Sequence, residues 1–169
     1  MKKKILIGVP LVLLGMVGIL WLKGIEMREI KSEIIVNAPP EKVWNVLINV
    51  NGWQSWNPTV NACSGDAAIG SALDITMKNE SGGDGPHYSP KITAMDRPNK
   101  FQWRATMGAG FVFTNDKVLE LQVVPTGTKV IHRELFSGLM VPLFGGKLEA
   151  GVPGILKAFN EGLKSKVES

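Results

Sequence analysis

The stretch Asn37-Ala-Pro-Pro-Glu-Lys-Val-Trp-Asn-Val-Leu-Ile-Asn-Val-Asn-Gly-Trp-Gln-Ser-Trp-Asn-Pro-Thr-Val60 decides how the rest of this chain is read. Pro39 and Pro40 carry the fixed φ that a first helical turn tolerates, and Gly52 reads as a stop. Between them Val43, Trp44, Leu47 and Ile48 share one face, while Glu41, Lys42, Asn45 and Asn49 point away. A short helix laid on a core is expected. Trp53 and Trp56 follow three residues apart, close enough to share a side of a helical turn before Pro58 ends it. Large aromatics so placed either pack a core or wall a pocket.

Upstream, Arg28 to Val36 alternates, with Ile30, Ser32, Ile34 and Val36 on one side and Glu29, Lys31 and Glu33 on the other, the mark of a half-buried strand. Downstream, an antiparallel meander is expected up to Phe136. Leu73, Ile75 and Met77 alternate with Asp74, Thr76 and Lys78, and Ser81 to Pro86 forms a loop. Tyr88, Ile92 and Ala94 continue on one return strand, and Asp96-Arg97-Pro98-Asn99 turns it. Phe101, Trp103 and Ala105 then oppose Lys100, Gln102, Arg104 and Thr106; Leu119, Leu121 and Val123 oppose Glu120 and Gln122. Strands with one wet and one apolar face make a single curved sheet that needs a cover. The remaining chain supplies it. From Lys147 to Val167, Leu148, Val152, Leu156, Phe159, Leu163 and Val167 recur at three and four, opposite Lys157, Lys164 and Lys166. Pro153, flanked by Gly151 and Gly154, should kink this helix or delay its start.

The 169 residues suffice for one domain with a real core. The net charge of +4 is localised: Lys2, Lys3, Lys4 and Lys23 account for it, and from Gly24 onward 15 basic residues balance 15 acidic ones. A neutral domain without a basic run argues against nucleic acid as a partner. Residues 5–22 are 18 positions without a charge, about 27 Å as a helix and close to the thickness of a bilayer's hydrocarbon core. Three lysines precede the run, so the positive-inside bias puts the amino terminus in the cytoplasm and the domain outside it. An uncleaved single-pass anchor over residues 1–23 is expected, ahead of a domain over 24–169. A cleaved signal fits less well, because the apolar run is long and no Ala-x-Ala-like site follows. Gly24 to Met27 is too short for a flexible linker, which keeps the domain near the bilayer. Cys63 stands alone, so no disulfide or thiolate metal site arises, and a structural thiol is the expectation.

A strand, a helix leading into Trp-x-x-Trp-x-Pro, a meander and a long closing helix is the order of the helix-grip fold. Two stretches resemble the SRPBCC superfamily, which groups START-type lipid-transfer domains, pollen-allergen-like proteins and polyketide cyclase/dehydrase-like proteins. They are Ala38 to Trp44 continuing through Trp53-x-x-Trp56-x-Pro58, and His132-Arg-Glu-Leu-Phe-Ser-Gly-Leu-Met-Val-Pro-Leu143; Phe159 to Lys164 is similar to that family's terminal helix. The resemblance spans residues 28–168. It implies an α+β fold in which a curved antiparallel sheet wraps a long C-terminal helix, here preceded by one transmembrane helix, with a cavity between sheet and helix. The membrane segment departs from most relatives, which are soluble.

Strand parity says what would line that cavity. On the last strand Lys129 and Arg133 reach water, so Val130, His132, Glu134 and Phe136 point inward. His132 and Glu134 are the only ionisable groups this pattern drives inside. They could act as acid and base, or orient a polar head group. They could equally bond to each other, to Trp53, Trp56 or Tyr88, or to loop backbone, and simply close the core. The other expected lining residues are Leu73, Ile75, Met77, Ile92, Phe101, Trp103, Leu119, Leu121, Leu156 and Phe159. His87 sits in a polar loop, no metal constellation is visible, and Gly82-Gly83-Asp84-Gly85-Pro86 joins strands where a phosphate cradle would open a helix. No cofactor is implied. The leading expectation is a membrane-anchored module that binds an apolar or lipid-like small molecule. The alternatives are a cyclase-, dehydratase- or hydrolase-type enzyme using His132 and Glu134, and an interaction domain with a filled core.

Overall fold

The computed structural model describes Met27 to Ser169, together with Gly15 and Gly18. The apolar run at 5–22 and its reading as an anchor therefore lie outside the described residues. No helix among the described residues is long and apolar enough to cross a membrane.

Strand β1 (Arg28–Val36) has the expected alternation and pairs antiparallel with β8 (Gly127–Ser137), setting Ile30 opposite Glu134, Ser32 opposite His132 and Ile34 opposite Val130. Helix α1 (Pro40–Ile48) buries Val43, Trp44 and Leu47, as its apolar face requires. It ends earlier than expected, at Asn49, where ψ turns to 66°. Gly52 instead falls inside a 3-10 turn, Val50–Ser55, and donates its N–H to the Asn49 carbonyl at 2.9 Å.

The expected single sheet is two. A five-stranded sheet runs β1-β8-β7-β6-β5 and a three-stranded one β2-β3-β4, with β2 Val60–Gly65, β3 Leu73–Lys78, β4 Asp84–Tyr88, β5 Lys91–Asp96, β6 Lys100–Met107 and β7 Phe113–Val124. The return strand expected from Tyr88 to Ala94 breaks at Ser89-Pro90, because Pro90 has no N–H for a ladder. Tyr88 pairs into one sheet and Ile92 into the other. The Pro90 carbonyl accepts the Leu73 N–H at 2.9 Å, and Ala72 bridges Lys91, so the two sheets meet along this seam.

Helix α2 (Val141–Glu168) begins six residues before the expected Lys147 and runs 28 residues through Pro153. Pro153 and Glu149 are both exposed, so the carbonyl that loses its helical donor faces water, and the helix continues. The apolar stripe of α2 packs into the concave side of the sheet. Trp53, Trp103 and Phe159 form its centre, with Trp53 5.3 Å from Trp103 and 5.9 Å from Phe159 between ring centroids. The Trp53 indole donates to the Leu47 carbonyl at 2.9 Å, which satisfies its one buried donor. Val123 has the inward parity expected of it but overhangs the β7–β8 hairpin and is exposed.

Candidate functional site

The inward parity of β8 holds: Val130, His132, Glu134 and Phe136 are all buried. The two ionisable members do not meet each other. Glu134 sits opposite Lys117 on β7, whose Nζ lies 2.8 Å from Oε1, while Asn115 Nδ2 donates to Oε2 at 2.8 Å. His132 and Glu134 are thus not the only ionisable groups driven inside; Lys117 joins them, and Trp103 offers its ring face 5.8 Å from the ammonium. The signal was present in the sequence, since Asn115 and Lys117 share parity with Leu119 and Leu121.

These groups form the polar floor of a cavity of about 390 Å³ between the sheets and α2. Its walls are Met77, Pro86, Tyr88, Ala105, Thr106, Met107, Phe113 and Ile155, so an apolar lining converges on Asn115, Lys117 and Glu134. The exposed lining residues Pro86, Thr106 and Met107 mark the mouth. Burial is the strongest single influence and opposes the charge on Lys117, but Glu134 and Tyr88 together outweigh it and raise the ammonium pKa, so the cation is retained. Burial raises the Tyr88 phenol, whose hydroxyl reaches only Met77 Sδ among the described residues, at 3.5 Å. Asn115 Oδ1 has no hydrogen-bond partner among the described residues. The cavity therefore presents an ammonium, a carboxylate, an amide acceptor and a phenol at one end of an apolar volume.

Of the expected lining residues, Met77, Tyr88 and Glu134 line this cavity. Trp53, Leu73, Ile75, Ile92, Phe101, Trp103, Leu119, Leu121 and Phe159 belong to the packed main core, with half-buried Trp56 against it. Phe136 and Leu156 pack in a second cluster with Val141 and Val152. His132 is wholly buried, its Nδ1 3.1 Å from Asn160 Oδ1 and its ring edge-on to Phe159. Asn160 Nδ2 donates onward to Ser32 Oγ at 3.2 Å, which assigns the imidazole proton to Nδ1 and leaves Nε2 without a partner among the described residues. Burial holds this imidazole well below its ordinary pKa, and the nearby Lys117 charge pushes the same way. His87 is exposed on β4 and meets Asp74 at 2.9 Å. Cys63 is buried, its thiol pushed up to about 12 by burial and by Asp74. Among the described residues no cluster of His, Cys, Asp or Glu could hold a metal ion.

The family described as polyketide cyclase / dehydrase and lipid transport matches residues 27–168. The chain belongs to that family. Its fold recurs in the di-domain aromatase/cyclase StfQ of the steffimycin biosynthetic pathway, at a TM-score of 0.69 and 10% identity. That match covers 84% of this chain and 51% of StfQ, so this family member spans about half the length of the di-domain protein. The Zhui aromatase/cyclase from a Streptomyces species matches at a TM-score of 0.68 and 18% identity, over 85% of this chain and 94% of its own. A protein of unknown function from Staphylococcus aureus matches at 0.66 and 13%, over 85% and 94%. No curated protein matches the sequence. The expected superfamily and helix-grip fold are thereby established, in a family whose description joins cyclisation and dehydration to lipid transport.

Proposed function

We infer that this domain binds an apolar small molecule that carries one polar end, with the apolar body in the cavity and the polar end at Lys117, Glu134 and Asn115. The observation that carries this reading is the cavity itself, mostly apolar in its walls and charged only at its floor, the pattern by which small-molecule sites take affinity from burial and orientation from a few polar groups. An open volume of this size also argues against an interaction domain with a filled core. Enzymatic use of His132 and Glu134 as a proton-transfer pair finds less support, because each is engaged elsewhere and His132 does not line the cavity. The test is solvent extraction and native mass spectrometry of the purified protein. A stoichiometric hydrophobic compound that is lost on filling the cavity is expected. Protein that carries none, and takes up none from a fatty-acid or aromatic-polyketide panel, overturns the reading.

The membrane location is also a proposal, supported by the uncharged run at 5–22 behind Lys2, Lys3 and Lys4. A reporter fused after Ser169 should be active only outside the cytoplasm. Activity of a strictly cytoplasmic reporter at that position contradicts it.

A further inference from the structure

The end of the domain at which the described chain begins is largely apolar, with the partly exposed Arg28–Glu149 ion pair beside Gly145. Met27 precedes Arg28, which pairs with Phe136 at the far end of β8. Two uncharged runs, 105–115 and 135–146, meet at this same end. The Leu139 N–H donates to the Phe111 carbonyl at 3.0 Å and the Met140 N–H to the Val112 carbonyl at 3.0 Å. Gly138 sits at φ +115° with a missing Cβ that would lie 2.6 Å from the Val112 oxygen, so the approach of the runs depends on glycine. Phe136 and Val141 of these runs are buried, but Phe111 is 66% exposed, and Met27, Met107 and Leu143 are exposed at the same end. Such a cluster is costly to leave in water, and a contiguous apolar patch marks an interaction surface.

The length of the connecting chain identifies what covers it. The apolar run ends at Leu22, and Lys23 to Met27 fully extended reach roughly 18 Å. A domain tethered that closely has to lie against whatever holds the run, and the end nearest the tether is this one. Met107 also stands at the mouth of the cavity.

We propose that the apolar end bearing Met107, Phe111 and Leu143 docks on the lipid bilayer, so that the cavity exchanges its occupant with the membrane. This rests on the anchor reading and extends it from a tether to an oriented contact surface.

The test uses the full chain reconstituted into phosphatidylcholine–phosphatidylglycerol vesicles. An environment-sensitive dye is placed at Phe111→Cys, at Leu143→Cys or at Val123→Cys. Val123 is 79% exposed at the other end of β7, about 30 Å away along the strand. Cys63, buried with its thiol pushed up to about 12, stays unlabelled. All three sites are exposed, so the variants are expected to fold, and circular dichroism checks it. Flotation with the vesicles reports the anchor separately. The expected result is flotation of all three, with blue-shifted emission that doxyl-labelled lipid quenches several-fold more at 111 and 143 than at 123. Flotation with equal, weak quenching at all sites overturns the docking surface and leaves the anchor standing. Failure to float overturns both. A blue shift at 111 that grows with protein density and escapes lipid quenching assigns the surface to a second copy of the chain, and also overturns the proposal.

Discussion

Lys117 and Glu134 are direct register partners across β7 and β8, with Nζ 2.8 Å from Oε1 and both side chains buried. The pair closes the polar end of the cavity, and each member's desolvation is offset mainly by the other. Removing one should leave an uncompensated buried charge. Lys117→Met is expected to destabilise the domain by about 3–5 kcal/mol in urea unfolding, and Lys117→Met with Glu134→Leu by much less. A double variant as damaging as the sum of the singles would show that the two groups do not act as a pair.

Cavity occupancy should respond to volume. Ala105 is half-buried on β6 and lines the cavity. Ala105→Phe is expected to lower the bound compound per protein tenfold or more, a loss of about 1.4 kcal/mol, with a melting temperature close to that of the parent chain. Unchanged occupancy, measured by extraction and mass spectrometry, would place the ligand elsewhere.

His132 should make stability depend on pH. Its folded pKa lies well below the ordinary 6.5, so the unfolded chain binds the extra proton first. Its contribution is therefore complete above about 6.5 and is lost as pH falls below that, by up to about 1.4 kcal/mol per unit. Chemical denaturation between pH 7.5 and 5, run beside His132→Gln, should show this slope in the parent and a flatter one in the variant. Losses from Glu33 and Glu168, whose carboxyls are held below 4.5 by lysines and by the Asn37 N–H, fall at more acid pH and are separable.

Gly162 lets α2 approach the loop after the 3-10 turn. A Cβ there would lie 2.4 Å from the Trp56 carbonyl oxygen and 2.9 Å from Pro58 Cδ. Alanine gains up to about 1 kcal/mol of helix propensity, whereas overpacking against backbone costs about 1–3 kcal/mol. Gly162→Ala is expected to be net destabilising by thermal unfolding, and a stabilised variant would mean that the loop moves freely.

The two indoles of the opening stretch should differ. Trp53 is buried and donates to Leu47, so Trp53→Ala is expected to cost about 3–5 kcal/mol. Trp56 is half-buried, its ring 5.2 Å from Phe159, and Trp56→Ala should cost roughly half as much. Equal costs in urea unfolding would place Trp56 in the core with Trp53.

The sequence by itself determined the order of elements and the inward faces of β1, β3, β6 and β8, because alternation and the three-four spacing are local properties of a strand and a helix. It also identified His132 and Glu134 as buried. Tertiary structure decided what those two residues do. Glu134 meets Lys117 through a register between strands 17 positions apart, and His132 meets Asn160 only where α2 crosses the sheet. The passage of α2 through Pro153 was likewise settled by its surroundings, because the carbonyl that loses its helical donor faces open solvent. The cavity is legible nowhere in the pattern. Apolar parity marks residues that avoid water, and it is the distance between helix and sheet that determines which of them touch each other and which face an open volume.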